Sequence, residues 1–209
     1  MKGLVLAGVP KQFVFISSVA VYGIEEGENI TENGNLNAKD PYGLSKIQAE
    51  QLITDWCNKN KVVCTILRLP LLVGKNPPGN LGTMLKAIRK GYYFNIGGGK
   101  TRKSMVLTED VARFIPIIAP VGGIYNLTDG AHPSFAALSS TIAKNKVTSL
   151  PLYFARLLGF IGDIVGVKAP INSKKIKKIT FNLTFNDSKA RKLGWTPRSV
   201  IEFLKKNDL

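Results

Sequence analysis

Two continuous apolar runs on either side of a capped helix constrain the fold of this chain more than any other feature. Residues 13–18 read FVFISS, and residues 62–70 read VVCTILRLP. Apolar runs of this length are typical of strands that are buried on both faces of a parallel sheet. Strand, helix and strand over about 60 residues form a right-handed parallel unit. The pattern therefore predicts an α/β fold with a parallel sheet.

The helix between the two runs begins at a strong N-terminal signal. Asp40 can cap the first free N–H groups and Pro41 fits the first helical position, so we predict a helix from residue 41 to about Asn58. Tyr42 and Lys46 are four residues apart and therefore lie on one helix face. A cation beside a phenol favours the phenolate, which makes the pair a candidate proton donor and acceptor. The pair alone is weak evidence, because a lysine-rich chain contains Tyr-x-x-x-Lys by chance.

Polar residues stand where the two predicted strands end. Ser17 and Ser18 close the first strand, and Arg68 and Pro70 close the second. In an open parallel sheet, chemistry gathers outside the carboxyl ends of the strands. The strand ends and the start of the Tyr42 helix are therefore expected to converge on one crevice.

The remaining segments carry recognisable start and stop signals. The glycine run at residues 97–99 favours a plain turn over a phosphate cradle, because no helix follows it. His132, the only histidine, falls in a predicted loop and receives no role. The further predictions are a helix end at residues 2–10, an acidic loop at 24–39, helices at 81–90, from 108 onward and at 134–144, strands at 92–96, 104–107 and 123–128, and a mostly helical basic tail.

The chain is strongly basic. Its net charge is +15, and residues 174–178, KKIKK, form the densest basic run. Nucleic-acid binding is disfavoured, because no aromatic platform or recognition motif accompanies this run. A solvated face, or a field that attracts anionic substrates, is favoured instead.

Cysteine usage and hydropathy disfavour other classes. Cys57 and Cys64 are predicted to be simple buried thiols and not a disulfide or a metal site, so we expect a reducing, cytoplasmic setting and no metal. The most apolar stretch, residues 150–165, is interrupted by Arg156 and Asp163. We therefore expect neither a membrane span nor a membrane partner.

Several motifs, taken together, resemble one enzyme family. They are FVFISS-x-x-VYG at residues 13–23, YG-x-SK at 42–46 with Glu50 behind it, Leu67-Arg68 through Gly74, SMVLTEDVA at 104–112 and LGW-x-P at 193–197. The chain resembles the extended short-chain dehydrogenase/reductases, or NAD-dependent epimerase/dehydratases. The resemblance implies a partial Rossmann-type parallel sheet with helices on both faces, formed by residues 1–74 and 104–128. Residues 75–103 and 129–209 would form a smaller, C-terminal substrate lobe.

The resemblance also implies roles for individual residues. Ser18 would hydrogen-bond the substrate oxygen, Tyr42 would be the acid/base, and Lys46 would hold the nicotinamide ribose and support Tyr42. Ser17 and Pro70 would join Tyr42 and Lys46 at the cofactor, which is NAD or NADP. The positions implied for substrate binding are Ser18, Val19, Asn80, Leu81, Arg102 and Lys103.

The implied reaction is epimerisation, dehydration or reduction of a nucleotide sugar. Leu71 stands where sugar-nucleotide members usually carry Asn, and it cannot donate to a pyrophosphate. A reductase of a non-nucleotide carbonyl compound therefore stays open. A non-catalytic remnant or regulatory module is disfavoured, because Ser18, Tyr42 and Lys46 are intact. The sequence does not decide the sugar, the stereochemistry, or NAD from NADP.

A larger departure concerns the dinucleotide fingerprint. Gly-x-x-Gly-x-x-Gly does not occur in the 209 residues. The missing strand–helix units correspond to about 90 residues. We therefore expect the chain to represent the C-terminal two-thirds of an enzyme, with neither tight NAD binding nor activity by itself.

Helix 41–58 also suggests an assembly. Ile47, Leu52, Ile53 and Trp56 place apolar side chains on more than one side of it. A helix that is apolar beyond one stripe must bury a second face. Because members of the family that this chain resembles often dimerise through this helix and its neighbour, we expect a homodimer if the fold is complete.

Overall fold

A computed structural model describes residues 8–75, 77, 79–165 and 172–207. The helix end predicted at residues 2–10 falls largely outside these residues. The strands are β1 Gln12–Ser18, β2 Gly27–Ile30, β3 Val63–Leu69, β4 Leu71–Val73, β5 Asn95–Ile96, β6 Met105–Leu107, β7 Gly123–Asn126, β8 Ser149–Leu150 and β9 Leu183–Phe185. The α-helices are α1 Pro41–Asn60, α2 Gly79–Arg89, α3 Thr108–Ile118, α4 Phe135–Ala143, α5 Leu152–Val165, α6 Ser173–Thr180, α7 Ser188–Arg191 and α8 Val200–Lys206.

The sheet that carries the site has the strand order β1-β3-β7 and is parallel throughout. Phe13 of β1 lies opposite Cys64 of β3, and Ser18 lies opposite Leu69. On the other side of β3, Arg68 lies opposite Asn126 of β7. The predicted α/β class and the parallel pairing of the two apolar runs are confirmed. Ser18 and Asn126 end their strands, and Arg68 lies one residue before the end of β3, at the same edge of the sheet.

Helix α1 crosses between β1 and β3, and its ends follow the sequence signals. The Asp40 carboxylate accepts a hydrogen bond from the Gly43 N–H at 3.0 Å, and Pro41 is the first helical residue. The helix ends at Lys61, whose backbone is left-handed with φ 56°. The N-terminal turn packs against the short 3₁₀ turn Val19–Tyr22 that follows β1.

Three two-stranded parallel pairs surround the sheet: β4 with β6, β2 with β9, and β5 with β8. The prediction of a loop over residues 24–39 was wrong at β2, and the predicted helical tail is interrupted by β9. These two short strands pair across more than 150 residues, Gly27 lying opposite Leu183. The local sequence of β2, GENI, has no alternating apolar pattern that could have indicated a strand. The strand predicted at residues 92–96 is confined to β5.

Two apolar clusters form most of the core. The first packs α3 against β3 and β7 and includes Leu67, Phe114, Tyr125, Leu127 and Trp195. The second packs α2, α4 and α8 against β4 and β6 and includes Val73, Leu85, Leu107, Leu138 and Val200. The second cluster joins segments assigned to both parts of the predicted division. That division into a core and a substrate lobe stays a prediction.

Substitution of Gly43 tests whether close packing holds the N-terminal turn of α1 in place. A Cβ at this position would lie 2.5 Å from the Ala38 Cβ and 2.9 Å from the Ala20 carbonyl oxygen. We expect Gly43→Ala to lower the free energy of unfolding by about 1–3 kcal/mol, because the helix must move outward. Ser45→Ala, at an exposed position two residues further, should change it by less than about 0.5 kcal/mol. Urea titrations followed by circular dichroism measure both, and equal stabilities would contradict the packing.

Candidate active site

Ser18 lies at the junction of β1 and the 3₁₀ turn. Its side-chain oxygen caps the turn by accepting a hydrogen bond from the Ala20 N–H at 3.2 Å. A hydroxyl that accepts one hydrogen bond keeps its own O–H for another acceptor. Ser18 is partly exposed, so that donor can reach a bound molecule.

Tyr42 and Lys46 lie together on α1, as their spacing predicted. The Tyr42 side chain is 55% exposed, and the Lys46 ammonium lies 5.9 Å from the centre of its ring. The Lys46 Nζ donates to the carbonyl oxygen of Ile16 at 3.1 Å and lies 5.0 Å from the Phe15 ring. Lys46 thus bridges α1 and β1 two residues before Ser18. The helix and the strand present the three predicted catalytic residues at one edge of the sheet.

A buried ion pair lies directly behind these residues. Arg68 on β3 donates to both carboxylate oxygens of Glu50 on α1, from Nε at 3.1 Å and from Nη2 at 2.7 Å. The Arg68 and Glu50 side chains are only 3% and 6% exposed. Burial lowers the pKa of Arg68, but its hydrogen bonds to Glu50 and Tyr22 outweigh this and raise the pKa above its ordinary value. The guanidinium therefore stays charged and bidentate.

The ion pair continues into a network that reaches β7. Arg68 Nη1 donates to the Tyr22 hydroxyl at 3.1 Å and to the Glu32 carbonyl oxygen at 3.2 Å. The Tyr22 hydroxyl donates to Asn126 Oδ1 at 2.9 Å, and the Asn126 N–H donates to the Glu32 carboxylate at 2.8 Å. Burial raises the pKa of Tyr22, so its hydroxyl keeps the proton that it donates. We call Ser17, Tyr22, Glu32, Glu50, Arg68 and Asn126 the Glu50–Arg68 network.

The sequence analysis found only part of this network. Glu50 belonged to a motif and Arg68 to a strand end, whereas Tyr22, Glu32 and Asn126 received no role. Tyr22 and Asn126 are 104 residues apart, and Glu32 lies in the predicted loop 24–39, outside β2. Two signals were available: Tyr22 lies in the VYG motif, and Asn126 lies in the predicted strand 123–128.

The residues predicted to bind the cofactor differ in how far their side chains are exposed. The Ser17 hydroxyl donates to Glu50 Oε1 at 2.5 Å and is buried. Only the backbone of Ser17 could therefore face a cofactor. Pro70 is partly exposed between β3 and β4, and Val19 is partly exposed at the start of the 3₁₀ turn.

The predicted substrate residues lie further along the chain. Leu81 is buried in the second apolar cluster, which leaves its backbone as the available contact, and the side chain of Asn80 lies outside what the structure describes. Arg102 is held by loop carbonyls, its Nε donating to His132 O at 3.0 Å and its Nη2 to Ala131 O at 2.8 Å. Lys103 is partly buried, and this burial lowers its pKa to about 8.

His132, which had no predicted role, orders this second region. Its Nδ1 lies 3.0 Å from the Ser104 hydroxyl, and its backbone N–H donates to the Asp129 carboxylate at 3.1 Å. Burial lowers the pKa of His132, so the imidazole favours its neutral form. The His132 ring contacts Ser104 and the His132 carbonyl oxygen accepts from Arg102. These two contacts hold the loop that binds the Arg102 side chain.

A groove of about 410 Å³ lies next to the Arg102 segment. It is lined by Gly27, Ile96, Lys100, Thr101, Leu152 and Asn182, among others. Among the described residues, the groove and the Ser18–Tyr42–Lys46 group have no lining residue in common. Over the same residues, no group of three His, Cys, Asp or Glu side chains is placed to hold a metal ion.

A parallel sheet with a helix crossing between adjacent strands, as β1, α1 and β3 form here, is typical of Rossmann-type α/β proteins. Residues 4–127 match the model of the NAD dependent epimerase/dehydratase family. The chain belongs to this family.

The chain is similar to individual proteins of this family. It is 30% identical over 200 residues to the N-acetyl-alpha-D-glucosaminyl-diphospho-ditrans,octacis-undecaprenol 4-epimerase of Escherichia coli O157:H7, covering 88% of this chain and 60% of that protein. The UDP-glucose 4-epimerase of Thermotoga maritima, solved with UDP-glucose, has a TM-score of 0.69 at 19% identity, covering 98% of this chain and 64% of that one. RMD from Pseudomonas aeruginosa, solved with NADPH, has a TM-score of 0.68 at 18% identity, covering 98% and 67%. The two structures share the fold, and the chain spans about three-fifths of the curated relative.

The Glu50–Arg68 network makes a stability prediction. Glu50→Ala leaves a buried guanidinium without its counter-charge and should lower the free energy of unfolding by about 3–5 kcal/mol. Lys178→Ala removes an exposed pair with Glu25 at 3.8 Å and should cost less than about 1 kcal/mol. Chemical denaturation of the two variants compares them directly. Similar losses would contradict a dominant role for the buried pair.

Proposed function

We propose that the chain supplies the acid/base and sugar-binding part of an NAD(P)-dependent epimerase/dehydratase that acts on a diphosphate-linked sugar. The observation that carries the proposal is the exposed Tyr42 ring with the Lys46 ammonium 5.9 Å from its centre, beside the end of β1. Family membership supports the same reaction class. The residues of the Glu50–Arg68 network are mostly buried, which is typical of a structural role. The Tyr42 ring is exposed and can therefore contact a ligand.

The residues present fit the nicotinamide side of a dinucleotide. An ammonium has three N–H donors, and Lys46 gives one of them to the Ile16 carbonyl, which leaves donors for ribose hydroxyls. Tyr42 and the Pro70 backbone would complete this side. A bound nicotinamide would supply the hydride acceptor and donor. The sequence has no Gly-x-x-Gly-x-x-Gly for the pyrophosphate, so we propose that these 209 residues alone bind NAD weakly and do not turn over.

Three side chains would then divide the proton chemistry. Tyr42 takes the proton of the sugar hydroxyl when its carbon is oxidised and returns it when the carbonyl is reduced. Lys46 places a positive charge near the Tyr42 ring, and its bond to the Ile16 carbonyl holds that charge in place. Ser18 donates its O–H to the same sugar oxygen, since its own lone pair already caps the 3₁₀ turn.

Two carriers of the sugar share one chemistry. A nucleotide sugar and a polyprenyl-linked sugar both present a sugar joined to a diphosphate, and relatives are named for each. Arg102 and Lys103 are the basic residues that we propose for this diphosphate. Leu71 lies in β4, paired with Met105, and offers no donor to it. Because Leu71 offers no donor, a non-nucleotide carbonyl compound is the second candidate substrate. Turnover measured with a nucleotide sugar, a polyprenyl-linked sugar and such a carbonyl compound distinguishes the three.

Tyr42→Phe tests the catalytic assignment. In a form of the protein that includes a dinucleotide fingerprint, the substitution should lower turnover by about 10²–10⁴, because the acid/base is removed. The dissociation constant for NAD should change little. Tyr92→Phe is the matched control, since Tyr92 is also exposed and has no proposed role. Full activity in Tyr42→Phe would sink the assignment.

Lys103 gives a pH prediction. Its pKa of about 8 means that the ammonium is present below this pH and is lost above it. If Lys103 faces the diphosphate, the affinity for UDP-glucose falls as pH rises from 7 to about 9, by at most about tenfold per unit. Lys103→Arg should remove this dependence, because a guanidinium stays charged. Calorimetry at several pH values measures it, and equal slopes in both proteins would refute the contact.

A further inference from the structure

Helix α5 contacts the rest of the protein through its smallest residues. Ala155, Gly159 and Gly162 are buried, and they recur at helical spacing on one face. A Cβ at Gly159 would lie 2.5 Å from the Ile176 side chain and 3.2 Å from the Ser173 nitrogen. Glycine therefore lets α6 pack closely against α5.

The opposite side of α5 carries large apolar side chains into solvent. Six of those described on this helix are between 46% and 72% exposed: Tyr153, Phe154, Leu157, Phe160, Ile161 and Ile164. An ordinary surface helix turns its large apolar residues inward, and contiguous exposed apolar patches mark interaction sites. The sequence does not show which side of an apolar helix faces outward, so this exposed face was not predicted.

The dimensions of α5 exclude a span. Fourteen residues at 1.5 Å each give a helix of about 21 Å, against a hydrocarbon core of about 30 Å. Across the described residues, no helix is long and apolar enough to cross a membrane. A short helix with an apolar outer face can still lie in the interface of a bilayer.

The charge around α5 indicates which kind of partner its exposed face can bind. Residues 150–180 contain six basic residues and one acidic residue. Arg156 on α5 and Lys177 and Lys178 on the adjoining α6 are exposed. A second copy seated symmetrically on this face would bring the same basic residues against Arg156, Lys177 and Lys178 and be repelled there. Anionic lipid offers both an apolar layer and negative charge.

We propose that α5 binds the surface of an anionic lipid bilayer. Its apolar face enters the headgroup region, and the basic residues of α5 and α6 lie against lipid phosphates. The proposal goes beyond the reaction proposed above and does not depend on it, since binding requires no turnover. It suits the substrate class in which the sugar diphosphate carries a lipid.

Vesicle co-sedimentation of the 209-residue chain tests the proposal. The chain should bind phosphatidylcholine vesicles containing phosphatidylglycerol, bind pure phosphatidylcholine vesicles more weakly, and lose affinity when salt rises from about 0.05 M to about 0.5 M. Ile164→Glu and Leu157→Glu should each lower the partition coefficient about tenfold or more, because an apolar contact is replaced by a charge. Ile117→Glu makes the same change at an exposed position of α3 and should bind like the unchanged chain.

Several results would overturn the proposal. One is no binding of the unchanged chain to anionic vesicles at low salt, a result that requires no variant to fold. Others are equal binding by Ile164→Glu, or an equal loss in Ile117→Glu. Light scattering adds a fourth: a dimer that Ile164→Glu converts to a monomer, without vesicle binding, would make this face an interface between copies. If a dimer forms and only Leu52→Glu abolishes it, the two copies associate through α1, as predicted. Helix α5 then remains available to bind lipid.

Discussion

The bidentate bond between Arg68 and Glu50 is the interaction on which the site depends. Removing two charges from water costs on the order of several kcal/mol per ion, so such a pair persists only when geometry and further hydrogen bonds offset the cost. Here Ser17, Tyr22 and the Glu32 carbonyl supply those bonds. No buried side-chain polar atom of the described residues lacks a partner. The pair joins α1 to β3 and, through Tyr22 and Asn126, to β7.

The position of Glu50 on its helix links this bond to the candidate active site. Tyr42, Lys46 and Glu50 recur at intervals of four, so they lie along one face of α1. Glu50 is held inside, Lys46 is held at the β1 carbonyl of Ile16, and Tyr42 emerges at the exposed end. A rotation of the helix that moved Tyr42 would break the ion pair. The buried ion pair and the Lys46 bond to Ile16 thus fix the helix face that carries Tyr42 relative to β3 and β1.

Local signals predicted the elements that local physics determines. The apolar runs gave β1 and β3 and their parallel pairing, Asp40 and Pro41 gave the start of α1, and the motif resemblance gave the family. Contacts distant in sequence were missed: the pairing of β2 with β9, and the bonds of Tyr22 and Glu32 to Asn126. The orientation of α5 was missed for another reason. An apolar helix with glycines inside it does not reveal whether its small or its large residues face the protein until α6 is packed against Gly159.

Hydrogen exchange in the isosteric variant Glu50→Gln measures the central claim most directly, because it reports each segment separately. If the ion pair positions the site, amides of α1 and of residues 16–22 lose protection together, while those of β6, in the second apolar cluster, keep theirs. Unchanged protection in α1, or a uniform loss over all segments, would contradict the claim that this bond holds Tyr42 and Lys46 against Ser18.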